Sequence, residues 1–193
     1  MEHRITTLNT KRALAASLKK LMPKKALSKI TVSEIVADCG VNRKTFYYHF
    51  EDVSSLLIWM LEQEALEVVK EFDLLVDCED AILFVMDYVD ANQHILNCAF
   101  DSLGREGLKK FLYADFIGIL GATIENAERE LGLSAPEDYK QFLCDFYAEA
   151  LAGILIEWFR APGKADREKT LRYLTTILRT TLPQALYVEG KKK

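Results

Sequence analysis

Asn42, Arg43, Lys44, Thr45, Tyr47, Tyr48 and His49 place seven polar or hydrogen-bonding side chains within eight consecutive positions. Their chemistry suits the edge of a nucleic-acid duplex. Arg43 and Asn42 have the donors for guanine and adenine edges, Thr45 has a methyl for thymine, and Lys44, Tyr48 and His49 can hydrogen-bond phosphates. Thr31 and Ser33, a short distance upstream, join them as candidate DNA-facing residues. A structural alternative stands beside each: Tyr47 and Tyr48 could pack on a core with Phe46 and Phe50, and Arg43 and Lys44 could simply be solvated.

The elements that must hold these residues are legible. Ile5, Leu8, Leu14, Leu18 and Leu21 recur at helical spacing, with Lys11, Arg12, Lys19 and Lys20 between them. Pro23 ends this first helix. Thr31-Val-Ser-Glu34 is a capping box, in which the Thr31 hydroxyl accepts from the Glu34 N–H and the Glu34 carboxylate accepts from the Thr31 N–H. Ile30 and Ile35 flank it as a staple. Val32, Ile35, Val36 and Cys39 form the stripe of a helix about two turns long, closed by Gly40 at a position that favours positive φ. Asn42 then starts another helix, with Val41 and Phe46 as its staple. Two short helices joined by a glycine-bearing turn describe a helix-turn-helix, whose second helix enters a major groove. Phe46 and Phe50, four apart, are expected to face inward.

Charge is divided in the same way. The 193 residues carry a net −4, yet residues 1–50 hold ten Lys/Arg against three acids. The rest of the chain is strongly acidic. A basic head on an acidic body fits a polyanion at one end only.

Residues 28–58 resemble the DNA-binding head of the tetracycline-repressor (TetR) family. The resemblance is carried by Ile30-Thr31-Val32, Ile35-Val36-Ala37, Gly40-Val41 and Thr45-Phe-Tyr-Tyr-His-Phe50 leading to Leu56-Leu57. It covers about residues 5–60, and size and helix pattern agree beyond. The family pattern implies a phosphate-contacting Lys at the start of the fourth helix. Here that place reads Glu51-Asp52-Val53, and Asp52 is an N-cap instead.

From Asp52 a helical pattern runs through Leu56, Leu57, Met60, Leu61, Ala65, Val68, Val69 and Phe72. Further helices are expected at about 79–91, 92–102, 105–131, 137–161 and 166–186, giving an all-α chain of about nine helices. Residues 1–52 are assigned to a helix-turn-helix DNA-binding domain and residues 53–193 to a helical dimerisation and effector-binding domain. The tail Lys191–Lys193 is expected to be unordered. Phe142, Leu143, Phe146, Ala150, Gly153, Ile154 and Trp158, then Leu171, Leu174, Leu178 and Leu182, make the last two helices rich in apolar faces. The resemblance implies that this pair packs on its copy as a four-helix interface, so that a homodimer reads a near-palindromic operator with half-sites about 34 Å or more apart. Phe84, Tyr88, His94, Cys98, Tyr113, Phe116 and Phe146 are the candidate lining of a small-molecule effector pocket, with core filling as their alternative.

Other chemistries find little support. No stretch reaches the ~18–20 apolar residues of a membrane span, and no secretion signal opens the chain, so a cytoplasmic location is expected. The four cysteines lack a C-x-x-C pair and read as reduced core residues. His94, Cys98 and Asp101 follow at i, i+4, i+7, but without a second ligand cluster no metal is expected. Asp87 and Asp90 read as solvated or helix-end charges. Phosphate-loop, dinucleotide, nucleophile-elbow and zinc-protease motifs are missing, so neither a cofactor nor an enzymatic role is expected. The reading is a transcription regulator, a repressor released by a small-molecule effector. The head also resembles the subgroup of the dihydroxyacetone-kinase operon activator, which implies an activator served by a protein co-activator. A third reading is a ligand-binding or enzymatic helical bundle whose basic head is incidental.

Overall fold

The computed structural model describes residues 2–66, 69, 72, 77–161 and 163–192. Among the described residues the chain is all-α apart from one two-residue pairing, and it divides into two compact units. Seven α-helices occur among the described residues, where the sequence suggested about nine: α1 Glu2–Leu21, α2 Val32–Cys39, α3 Arg43–His49, α4 Val53–Leu61, α5 Cys78–Leu131, α6 Glu137–Arg160 and α7 Arg167–Glu189. The difference lies in α5. The three helices expected between 79 and 131 follow one another along Cys78–Leu131, divided by non-helical backbone at Asn92 (φ −120°, ψ 22°) and Gly104 (φ 70°, ψ 172°), close to the expected breaks. The second of these geometries is open essentially to glycine alone.

The long pattern starting at Asp52 changes its helical geometry along the way, and Val69 within it is helical. α4 gives way to a π-helical turn over Glu62–Leu66, and Val68 lies outside the described residues. Contrary to expectation, Lys191–Lys192 is ordered: it pairs antiparallel with Leu133–Ser134, Leu133 facing Lys192 and Ser134 facing Lys191. The buried Leu133 anchors one side of this pairing, and the Gly190 N–H donates to the Leu186 carbonyl at 2.8 Å on the other.

The first unit consists of Met1–Ala65 and Asn92–Gly104. Leu14 and Leu18 of α1, Ile35 of α2, Phe46 of α3, and Leu56 and Leu57 of α4 are fully buried in it, together with Ile95 and Ala99 from the later segment. Of the expected α1 stripe, Leu14 and Leu18 are fully buried, Leu8 is exposed and Leu21 half-buried. Ion pairs tie the rim: the Asp38 carboxylate accepts from Lys20 Nζ at 2.5 Å and from Ser17 Oγ at 2.9 Å, fastening α2 to α1. Lys19 pairs with Glu64 at 2.6 Å. Ser54 and Ser102 share a hydroxyl hydrogen bond of 2.9 Å.

The second unit, Leu66–Ala91 and Arg105–Lys193, is cored by Leu120 and Ile124 of α5, Ala148, Ala152, Ile156 and Phe159 of α6, and Leu182 and Leu186 of α7. Tyr147 and Thr181 bond across α6 and α7 at 2.7 Å, and the Arg167 guanidinium of α7 spans Asp87 and Asp90 of α5. Those two acids therefore serve as one clamp. Among the described residues no helix is long and apolar enough to cross a membrane, and no group of three His, Cys, Asp or Glu side chains is placed to hold a metal.

Candidate nucleic-acid interface

Each helix start that frames the turn is closed by a side chain. Thr31 Oγ1 accepts from the Glu34 N–H at 3.3 Å, and Glu34 Oε2 accepts from the Thr31 N–H at 2.9 Å, completing the capping box of α2. Gly40 ends α2 with φ 72°, the left-handed geometry that a Cβ would strain. Asn42 caps α3, its Oδ1 accepting from the Thr45 N–H at 2.9 Å and from the Thr45 hydroxyl at 3.1 Å. Asp52 caps α4 reciprocally with Ser55, so the acid that stands in the place of a phosphate-contacting Lys has a structural task.

The faces of α3 separate cleanly. Phe46 and Phe50 are buried, their rings 6.0 Å apart, and Phe50 continues to Trp59 at 5.7 Å. Lys11 Nζ sits 5.4 Å from the Phe50 ring and 5.5 Å from the Trp59 ring, a cation–π support from α1. Arg43, Lys44, Tyr47 and Tyr48 point outward, with Tyr47 52% and Tyr48 72% exposed, so neither tyrosine is core. Arg43 Nη2 donates to the Tyr47 hydroxyl at 3.4 Å, one turn away, which lays the guanidinium along the helix surface. Thr45 and His49 are half-buried, and Ser33 is exposed on α2.

Local bonds refine what these groups can do. The Oδ1 of Asn42 is occupied by its cap, leaving the amide as donor only, whereas paired recognition of adenine needs donor and acceptor together. The Thr31 hydroxyl likewise donates to Glu34 Oε2 at 2.8 Å. The His49 imidazole is held below its ordinary value, first by loss of hydration and then by the Lys11 charge, so it offers a neutral N–H rather than a cation. Glu34 is lowered to about 2 from 4.5, chiefly by its bond from Lys25 and then by those from the Thr31 N–H and hydroxyl. A carboxylate depressed on folding stabilises fully above its unfolded value, and that contribution disappears as pH falls through the folded one. Urea unfolding followed between about pH 5 and about pH 2 is therefore expected to show a loss of stability that is smaller in Glu34→Gln. An unchanged pH profile in that variant would contradict the assignment.

Residues 14–58 match the family described as bacterial regulatory proteins, tetR family, and residues 77–180, more than half of the chain, match the transcriptional regulator C-terminal region of the same group. The chain belongs to the TetR family. It is a DNA-binding transcriptional regulator. Among curated TetR-family relatives, the HTH-type dhaKLM operon transcriptional activator DhaS of Lactococcus lactis subsp. lactis (strain IL1403) is 25% identical over 148 residues, covering 77% of this chain and 78% of that protein. The solved structure of the dihydroxyacetone kinase operon activator DhaS superposes with a TM-score of 0.66 at 22% identity, over 94% of this chain and 98% of that one. NalD, the secondary repressor of the MexAB-OprM multidrug efflux pump in Pseudomonas aeruginosa, gives 0.56 at 20%, over 88% and 94%. At such identities the structures establish the shared fold.

In the second unit of this TetR-family chain lies an apolar cavity of about 80 Å³. Its floor is Ala81, Met86, Phe116, Ile119 and Leu120 of α5. Leu151, Ile154, Leu155 and Trp158 of α6 and Thr170, Leu174 and Leu178 of α7 form the rest, with Val69, Ile82 and Val85. Of the seven candidate effector residues only Phe116 lines it. Phe84 packs its ring 6.2 Å from Phe72, Tyr88 is half-buried, and Tyr113 donates to Asp145 at 2.5 Å. His94 and Cys98 lie in the segment that belongs to the other unit. Phe146 is exposed and stacks on Phe142, 6.4 Å between centroids. The lining is mostly aliphatic, and aliphatic residues at helical spacing carry the same pattern whether they line a cavity or fill a core.

Proposed function

We propose that the protein acts as a homodimeric, cytoplasmic operator-binding repressor that a small-molecule effector releases from DNA. The observation that carries the reading is α3 itself: it holds Phe46 and Phe50 inside and sets Arg43, Lys44, Tyr47 and Tyr48 outward on a helix fixed by a side-chain cap at its start. Residues 1–52 form the DNA-binding head, with Thr31 at the cap of α2, Ser33 in α2 and Asn42 at the cap of α3 positioned for phosphates, Arg43 for a base edge, and Lys44, Thr45, Tyr47, Tyr48 and His49 around it. Residues 53–193 form the dimerisation and effector body. TetR-family regulators bind operators and dimerise. The face for dimerisation is supplied by Phe142 and Phe146 of α6 and Tyr173 and Ile177 of α7, large apolar side chains that stand exposed in the single chain.

An effector lowers operator affinity only by its differential affinity for the two arrangements of the dimer, typically ~1–3 kcal/mol or about 5- to 150-fold. The similarity to an operon activator supports a second reading, in which the same DNA complex activates with a protein co-activator docked on the body. The test is binding of the purified protein to DNA flanking its own gene and to scrambled DNA across a salt titration, paired with a promoter reporter. Tight binding to one near-palindrome with reporter output rising on deletion of the regulator supports repression; output falling supports activation. Equal weak binding to both DNAs would overturn both readings.

A further inference from the structure

Arg43 and Tyr47 stand one turn apart on α3, both exposed, and touch in two ways. Arg43 Nη2 donates to the Tyr47 hydroxyl at 3.4 Å, and the guanidinium carbon lies 6.0 Å from the centre of the Tyr47 ring. The tyrosine is itself held from beneath. Its ring meets Phe46 edge to face, 5.5 Å between centroids at 81°, and Phe46 is fully buried. A line of contacts therefore runs from the core of the first unit through Phe46 and Tyr47 to Arg43. The Asn42 cap fixes the same turn of backbone.

Ordering a long, rotamer-rich side chain on binding lowers affinity about two- to twelvefold. A guanidinium already held by Tyr47 avoids part of that loss. The bond uses one of its five N–H donors, which leaves four free, a parallel pair among them. In the major groove guanine alone offers such a pair two acceptors, N7 and O6. We propose that Tyr47 is a positioning residue that sets Arg43 for a guanine in each operator half-site, so that sequence preference at that base pair depends on the Tyr47 hydroxyl. The inference rests on the operator-binding reading above. It differs from a phosphate contact by the same hydroxyl, which would strengthen every DNA alike.

The test begins with selection of bound duplexes from a random-sequence pool by the purified protein, by Arg43→Ala and by Tyr47→Phe. The parent protein is expected to enrich one near-palindrome with a guanine in each half-site that Arg43→Ala no longer selects. Anisotropy titrations then compare this duplex with one that carries adenine in place of that guanine in one half-site. A discrimination of about tenfold in the parent is expected to fall to about threefold in Tyr47→Phe, with the salt slope and the preferences at other positions unchanged. In the Arg43→Ala background the same Tyr47→Phe change is expected to leave discrimination where it is. Tyr47→Phe keeps the ring on Phe46 and removes only an exposed hydroxyl, and circular dichroism checks its fold. A duplex with 7-deazaguanine at the same place removes N7 from the DNA instead, and is expected to weaken the parent more than Tyr47→Phe. An equal loss on all duplexes in Tyr47→Phe would mark a phosphate contact and overturn the inference, as would unchanged discrimination or a Tyr47 effect that survives in Arg43→Ala. An enriched sequence without an Arg43-dependent guanine would overturn it too and leave operator binding standing. A pool from which nothing is enriched would remove both.

Discussion

Replacing Arg43 and Lys44 together by Ala is expected to weaken operator binding at least about 30-fold while leaving the fold intact. A good base-edge contact is worth about 1–3 kcal/mol, and a twofold complex loses it in both half-sites. Lys44 acts differently. As a phosphate contact its removal lowers the slope of log affinity against log salt by about 0.9 per half-site. The Arg43 change is expected to shrink the ratio of operator to scrambled-DNA affinity, and the Lys44 change to weaken both DNAs alike. Both side chains are exposed, and the one hydrogen bond at stake is the 3.4 Å contact from Arg43 to Tyr47, so stability should move by no more than about 0.5 kcal/mol. Anisotropy titrations of the single variants over a range of salt separate these effects. A uniform loss on both DNAs in Arg43→Ala would show that this residue does not read bases.

Phe46→Ala is expected to have the largest effect on stability, about 3–5 kcal/mol. The ring is fully buried in a seven-residue helix, against Phe50 at 6.0 Å, in the unit that also buries Leu14, Leu18 and Ile35 completely. Its loss leaves a cavity that α3 cannot close without turning its outward face. Whole domains are stable by only about 5–15 kcal/mol, so the first unit should melt early and DNA binding should go with it. Denaturant unfolding followed by circular dichroism measures the loss, and Phe46→Leu is expected to recover most of it. If Phe46→Ala unfolded like the parent protein, the packing role given to α3 would be wrong.

How much of this was written in the chain depends on distance along it. The starts of α2, α3 and α4 were readable because a cap is a bond between residues three apart: Thr31 with Glu34, Asn42 with Thr45, Asp52 with Ser55. Gly40 was readable for the same reason, and the burial of Phe46 and Phe50 followed from their four-residue spacing. The body resisted because its decisive contacts are remote. Tyr113 was a pocket candidate by its type, yet its hydroxyl is bound to Asp145, 32 residues away. Nothing near Tyr113 announces that partner. Phe146 was a candidate on the same ground and stands exposed on α6, while the wall is built from leucines, isoleucines and Trp158 that look like ordinary core in any local window. Asn92 and Gly104 showed only as breaks between helices. That the stretch between them belongs to the first unit is a long-range fact that no periodicity encodes.

That stretch also sets an order of events during synthesis. The first unit draws Ile95 and Ala99 into its core from a segment that leaves the ribosome well after α4. At about 5–20 residues per second the delay between the two is a few seconds. During it, α1 to α4 exist with a face of their core unfilled, and closing it requires joining residues far apart in sequence, a slow and entropically costly kind of contact. The nascent head thus lacks the contribution of Ile95 and Ala99 to its core until that segment emerges. A fragment ending after α4 retains the whole reading helix and still lacks part of the unit that keeps it folded.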